Sequence, residues 1–223
     1  MERIMKKSFL SIVMSAALAI SLIGCGAKEP VKKHEVNLVI GEQNKTPEEP
    51  KAEEPVELLS GKYTVSIEIE NYGDILVELD ADAAPITVTN FMKLVNEDYY
   101  SGLTFHRIIE GFMMQGGQSV DNPVPNIKGE FADNGVDNPI RHERGTISMA
   151  RAADPNSASS QFFICHQDSF FLDGQYAAFG HVISGLDVVD KVCEKAIVID
   201  NNGSVAPENQ PVIKGIHEVT SAE

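Results

Sequence analysis

Phe105-His106-Arg107-Ile108-Ile109-Glu110-Gly111-Phe112-Met113-Met114-Gln115-Gly116-Gly117 is the stretch on which the fold turns. Taken with Leu103 and Thr104, its first half reads as a strand in which Leu103, Phe105, Arg107 and Ile109 share one face by the two-residue period of extended chain. Its second half, Phe112 to Gln115, reads as another strand, with Met113 and Gln115 on one face. Further along, in Gln161-Phe162-Phe163-Ile164-Cys165, Phe162 and Ile164 serve a core while Gln161, Phe163 and Cys165 point the other way. A second apolar surface, mixed with arginine and glutamine, therefore lies opposite the main core. Such a surface is either a binding groove with a few convergent polar groups or a face covered by a helix, with Arg107 paired to an acid. Pattern alone leaves both readings open.

Working outward, Tyr63 to Glu70 alternates, with Val65, Ile67 and Ile69 on one side. Asn71-Tyr72-Gly73-Asp74 turns the chain, and Ile75 to Leu79 returns as the second arm of a hairpin. Asp82-Ala83-Ala84-Pro85 opens a helix, since proline is tolerated in a first turn. Ile86, Phe91, Leu94 and Val95 are its expected buried stripe. Further strands follow at Thr146 to Met149, Ala177 to Ile183 and Val212 to Val219, with a second helix at Leu186 to Cys193. Many short strands with only two helices point to an all-β antiparallel barrel or sandwich. There is no internal repeat.

The N-terminal quarter is different in kind. Arg3, Lys6 and Lys7 precede a mostly apolar run from Phe9 to Ile23, of signal-peptide length and short for a spanning helix. It ends Leu22-Ile23-Gly24-Cys25, which resembles a bacterial lipobox, whose cysteine is acylated and becomes the mature N-terminus. The alternatives are an uncleaved anchor or an ordinary signal with a chance cysteine. From Gly26 to about Gly61 the chain is charged and proline-containing, as in Thr46-Pro47-Glu48-Glu49-Pro50-Lys51-Ala52-Glu53-Glu54-Pro55. It buries too little apolar surface to offset its ordering entropy. About 36 residues of such coil span on the order of 35 Å, enough for a tether. Val36 to Ile40 is an apolar interruption with no assigned role. The expected organisation is a lipoprotein signal at 1–24, the acylated Cys25 and a disordered linker at 25–61, and a compact domain at 62–223.

With 18 Lys+Arg against 33 Asp+Glu, the net charge of -15 argues against nucleic acid, which needs a basic face, and disfavours docking on anionic lipid. Nucleic acid is not an expected partner. Besides Cys25 there are only Cys165 and Cys193, with no CxxC and no His/Cys cluster at metal spacing. Each sits in an apolar run and reads as a small buried hydrophobe; a bridge between them is the alternative for an exported chain. His34, His142, His166, His181 and His217 read as surface or structural residues. No metal and no cofactor is expected.

The stretch from Phe105 to Gly117 closely resembles the signature of the cyclophilins. Gly145-Thr146-Ile147-Ser148-Met149-Ala150, Ser160-Gln161-Phe162-Phe163-Ile164, and Phe171-Leu172-Asp173-Gly174 with Phe179-Gly180 resemble that family's other segments in the same order. Four ordered motifs across Lys62 to Val219 make a chance match untenable. The resemblance implies a closed eight-stranded antiparallel barrel capped by two helices, with the site on its outer face. It implies peptidyl-prolyl cis-trans isomerase activity, with Arg107 as the catalytic arginine and Gln115 orienting it. Phe112, Met113, Phe163 and Leu172 become the walls of a proline pocket, and His106, Ala150, Arg151, Ala152, Gln161, Phe171 and Tyr176 line the peptide groove. Three positions depart from many relatives: Arg151 stands for asparagine, Phe171 for tryptophan and Tyr176 for histidine. The last two put strong cyclosporin binding in doubt but not catalysis.

Those residue types suit the reaction. Rotation about an X-Pro bond requires no nucleophile, metal or cofactor, only tighter binding of the twisted amide than of either planar isomer. The competing function is a non-catalytic proline-peptide binder or adhesin on the cell surface; a folding chaperone would be compatible with catalysis. The expected partners are proline-containing segments of exported proteins and, through Cys25, the cell membrane from its extracytoplasmic side. A monomer is expected.

Overall fold

The computed structural model describes residues 57–219. The expected signal segment, Cys25 and the expected linker as far as residue 56 lie outside the described residues. Leu59 packs on the core and donates its backbone N–H to Thr89 Oγ1 at 2.9 Å.

The hairpin opens the domain. β1 (Lys62–Ile69) and β2 (Gly73–Asp80) pair with Val65 opposite Val77 and Ile67 opposite Ile75. Asn71 adopts the left-handed conformation in the turn, at φ 65°, where asparagine is among the best-tolerated side chains. Alternation sends Val65, Ile67, Ile69, Ile75, Val77 and Leu79 inward, each at most 1% exposed. α1 (Pro85–Asn96) follows and lies against β2. Its inner face is Thr87, Val88, Phe91, Met92, Leu94 and Val95, with Ile86 left half-buried. The expected stripe was thus one position out of phase at its start, because positions 84, 88, 91 and 95 are the ones that superpose at 3.6 residues per turn.

β3 (Phe105–Ile109), β4 (Met113–Gly116), β5 (Thr146–Met149), β6 (Phe162–Cys165), β7 (Ala178–Ser184) and β8 (Ile213–Glu218) complete one antiparallel sheet in the order β3-β4-β6-β5-β7-β2-β1-β8. α2 (Leu186–Lys195) packs against β2 and β4. The all-β fold with two helices is as expected, but the sheet is an open half-barrel rather than a closed one. Its end strands β3 and β8 share no ladder. They meet only just ahead of both strands, at the isolated bridge Thr104–Val212. There Phe105 N–H donates to the Pro211 carbonyl at 2.9 Å and Ile213 N–H to the Leu103 carbonyl at 2.8 Å. Pro211 has no N–H to return to Phe105, and beyond it the edge of β3 is taken by another segment, through the isolated bridge Arg107–Ser204.

A bulge overturns one reading of β3. Phe105 pairs with Gly116 and Arg107 with Gln115, with His106 as the extra residue between them. The bulge breaks the two-residue period. Phe105 and Ile108 therefore both enter the core, at 0% exposure, where Phe105 meets Phe162 edge-on, while Arg107 and Ile109 stay on the other side. Leu103, Phe105, Arg107 and Ile109 do not share a face. The division within β6 is as read: Phe162 and Ile164 join the main core, Phe163 and Cys165 a second cluster with Met113 and Leu172. Both remaining cysteines are free and buried, and burial pushes each thiol up to about 12.

Candidate active site

The register of four strands lays out a row of side chains across the outer face. Arg107 on β3 pairs with Gln115 on β4, Gln115 with Phe163 on β6, and Phe163 with Ser148 on β5. Above this row is a cavity of about 120 Å³ lined by Arg107, Phe112, Met113, Gln115, Ala150, Arg151, Phe163, Leu172 and Tyr176. No residue of either helix lines it, so the outer face is a groove and not a helix-packing surface. Ala152 and Gln161 line an adjoining cavity with Ser157 and Ser159, and Gln115, Ala150 and Arg151 border both. Phe171 stands at the rim, 65% exposed, its ring 5.4 Å from that of Phe112. His106, the bulge residue, lines neither cavity. It is half-buried, and burial, then the charge of Arg107, push its pKa down.

Arg107 is held from two sides. Its Nη1 donates to Gln115 Oε1 at 3.3 Å, and Gln115 Nε2 donates in turn to Gln161 Oε1 at 3.0 Å. Its Nε donates to the backbone carbonyl of Asn202 at 2.8 Å and its Nη2 to Asn202 Oδ1 at 3.4 Å. Three of the five guanidinium hydrogens are thereby engaged, and two remain for a ligand. No carboxylate pairs with Arg107 among the described residues. The ion-pair reading of this arginine is therefore excluded within the domain.

Asn202 is the functional residue that sequence reading missed. Asp200-Asn201-Asn202-Gly203 carries a turn signal, but nothing local says that the turn meets a side chain 95 positions earlier. The turn is firmly built. Asp200 Oδ1 accepts the N–H groups of Asn202 and Ser204 at 2.9 and 3.0 Å, and Ile108 N–H donates to the Gly203 carbonyl at 2.8 Å. Gly203 sits at φ +81°, and a Cβ there would stand 2.5 Å from the Ile108 carbonyl oxygen. Gly203→Ala must therefore shift the turn and draw the Asn202 carbonyl off Nε. We expect kcat to fall about tenfold with KM nearly unchanged, because displacement of a positioned group mainly affects the reacting geometry. Exchange spectroscopy on a proline peptide measures both; unchanged kcat in the folded variant would remove Asn202 from the positioning of Arg107.

The pocket floor has its own support. His142 stacks on Phe163 at 15° and 6.0 Å, and Tyr176 meets the same ring edge-on. Asp173 Oδ1 accepts from His142 Nδ1 at 2.9 Å, so Nε2 accepts from the Ser148 hydroxyl at 3.0 Å. Burial keeps His142 neutral by pushing its pKa down against the pull of Asp173. This Ser-His-Asp line is structural: Ser148 is 0% exposed and no substrate reaches its oxygen. His166, also buried, accepts Gly111 N–H on Nδ1 and pairs with Asp190 through Nε2. Both histidines are structural, as read.

An antiparallel half-barrel with a ring-sized apolar pocket on its outer face, beside a tethered guanidinium, defines the class of the protein. The profile described as "Cyclophilin type peptidyl-prolyl cis-trans isomerase/CLD" matches residues 64–218. The chain is 45% identical over 127 residues to peptidyl-prolyl cis-trans isomerase A of Dickeya dadantii, covering 55% of this chain and 67% of that one. It is 36% identical over 156 residues to peptidyl-prolyl cis-trans isomerase B of Escherichia coli, covering 66% and 94%. A crystal structure of a Cryptosporidium parvum cyclophilin type isomerase is similar at TM-score 0.63 and 28% identity, covering 73% of this chain and all of that one. The same protein in the presence of the dipeptide Ala-Pro gives a TM-score of 0.59 at 29% identity, covering 71% and 99%. The chain belongs to the cyclophilin-type peptidyl-prolyl cis-trans isomerase family, and its enzyme class is that of the family.

Proposed function

We propose that this isomerase accelerates X-Pro rotation in exported proteins by stabilising the twisted amide with Arg107. The single observation that carries the mechanism is a guanidinium held by Gln115 and Asn202, with two hydrogens left over, at the wall of an apolar cavity. Phe112, Met113, Phe163 and Leu172 hold the proline ring. The rotating bond faces a barrier of roughly 20 kcal/mol, set by amide resonance. At the twisted geometry the prolyl nitrogen regains its lone pair and becomes an acceptor, which it is not in either planar isomer. A donor already in place there favours the transition state over both ground states and reorganises nothing at the moment of reaction. The apolar walls exclude water and so strengthen that bond. Arginine suits the role because its planar fork stays charged and can be gripped on one edge while donating from another. The Ala-Pro dipeptide with which the Cryptosporidium parvum relative was crystallised supports a proline-containing ligand. An exchange measurement on an X-Pro tetrapeptide tests the reading: cis and trans signals must interconvert faster with protein than without.

The lipobox-like ending at Cys25 supports an extracytoplasmic, membrane-tethered enzyme that works as a monomer at the end of its linker. No helix among the described residues is long and apolar enough to cross a membrane. Cys25→Ala is expected to abolish acylation and move the enzyme from the membrane to the soluble fraction, or to block its processing. Mass spectrometry of the wild-type N-terminus checks this; an unmodified first residue other than Cys25 overturns it.

A further inference from the structure

Four arginines lie in the described domain. Arg141 pairs with Asp173 and Arg144 with Asp190. Arg107 and Arg151 pair with no carboxylate among the described residues, although acids outnumber bases 33 to 18 in the chain. Of the four, the two arginines left without a carboxylate partner are the two that line the proline cavity. In a protein this acidic, that placement is an electrostatic feature of the groove.

Arg151 is fixed in place. Its Nε and Nη2 donate to the Gln175 carbonyl at 3.0 and 2.8 Å, and its Nη1 to the carbonyls of Ala152 and Ala153 at 2.9 and 3.3 Å. Its plane lies over Tyr176, 4.7 Å from the ring centre. Carbonyl dipoles orient the guanidinium but leave its unit charge uncancelled, and four bonds leave one of its five hydrogens free. Arg151 also borders the adjoining cavity with Gln115 and Gln161. A peptide with its proline ring in the first cavity therefore carries a neighbouring residue past Arg151, since extended chain advances only about 3.3 Å per residue.

Resting on the isomerase reading above, we propose that the groove selects prolyl segments bearing a carboxylate side chain next to the proline, and that Arg151 reads that charge. A carboxylate there meets a pre-oriented planar donor with no acid of its own to displace. The groove is partly solvated, so the discrimination is modest and sensitive to salt.

The test is an NMR titration of the domain with tetrapeptides that differ only in Glu against Gln, placed either before or after the proline. Exchange peaks in the same spectra report isomerisation separately. At low ionic strength the Glu peptide is expected to bind about three- to fivefold more tightly than the Gln peptide on one side of the proline. The ratio should fall toward one in 0.5 M salt, about where screening shortens to a few ångströms. In Arg151→Gln the ratio should also be near one; because it is taken within each variant, any general loss of affinity cancels. Equal binding of Glu and Gln peptides on both sides overturns the proposal. So does a preference that resists salt or survives in Arg151→Gln. Peptides that bind with the expected ratio but show no exchange would leave the charge selection standing and overturn the isomerase mechanism instead.

Discussion

Arg107→Ala is expected to cut turnover by about 10²- to 10³-fold, or about 3–4 kcal/mol of transition-state stabilisation, while weakening peptide binding only modestly. The asymmetry follows from where the arginine acts. The ring pocket of Phe112, Met113, Phe163 and Leu172 survives the substitution, so both planar isomers still bind. Only the acceptor that exists in the twisted state loses its partner. The variant should also remain folded. Arg107 pairs with no carboxylate among the described residues, and the groups that it leaves, on Gln115 and Asn202, lie where water reaches them. Circular dichroism establishes the fold, NMR titration the affinity, and exchange between cis and trans signals the turnover. A folded variant with near wild-type exchange would falsify the catalytic role and favour a binding module that merely keeps the fold.

Glu130→Ala should cost about 3–5 kcal/mol of stability, a large share of the 5–15 kcal/mol typical of a domain. The N-cap residue of α1, Ala84, has no side chain that can cap the helix. The cap comes instead from Glu130, 2% exposed, whose carboxylate accepts the N–H groups of Ile86 and Thr87 at 2.9 and 2.8 Å and the Thr87 hydroxyl at 2.7 Å. Its negative charge also faces the positive end of the helix dipole. Truncation strands these donors, with Thr87 itself fully buried and out of reach of solvent. The contrast with Arg107 is one of burial: acceptors left at the groove are rehydrated, donors left under α1 are not. Glu130→Gln keeps one acceptor oxygen and should fall between the two. Urea denaturation reads the differences as shifts in midpoint at constant slope; a loss below about 1 kcal/mol would show that α1 is capped by something else.

The candidate site was legible where chemistry is carried by residue identity. The walls of the ring pocket, Arg107 and Gln115 were all named from their motifs, and the cavity gathers them. His106 was assigned to the groove by the resemblance alone; it is the extra residue of the bulge beside Arg107 and lines neither cavity. Asn202 went unread because its contribution is chiefly a backbone carbonyl, which any residue possesses, and so leaves no mark in the amino-acid type.

What the sequence by itself determined is what short-range physics dictates. Two-residue alternation marked the strands, 3.6-residue recurrence marked the helices, and Asn, Gly and Pro marked the turns, because each is a property of local φ and ψ. What only the tertiary structure decided is which distant groups meet. It brought Glu130 to the start of α1, across 44 positions to Ile86, and Asn202 to Arg107, across 95. It also left β8 without a ladder to β3, because the outer edge of β3 is taken by residues 203–205, where Ile108 N–H donates to the Gly203 carbonyl and Val205 N–H to the His106 carbonyl. Local pattern sets what each segment can become; which distant donors and acceptors meet depends on how the segments pack, and no window of sequence contains both partners.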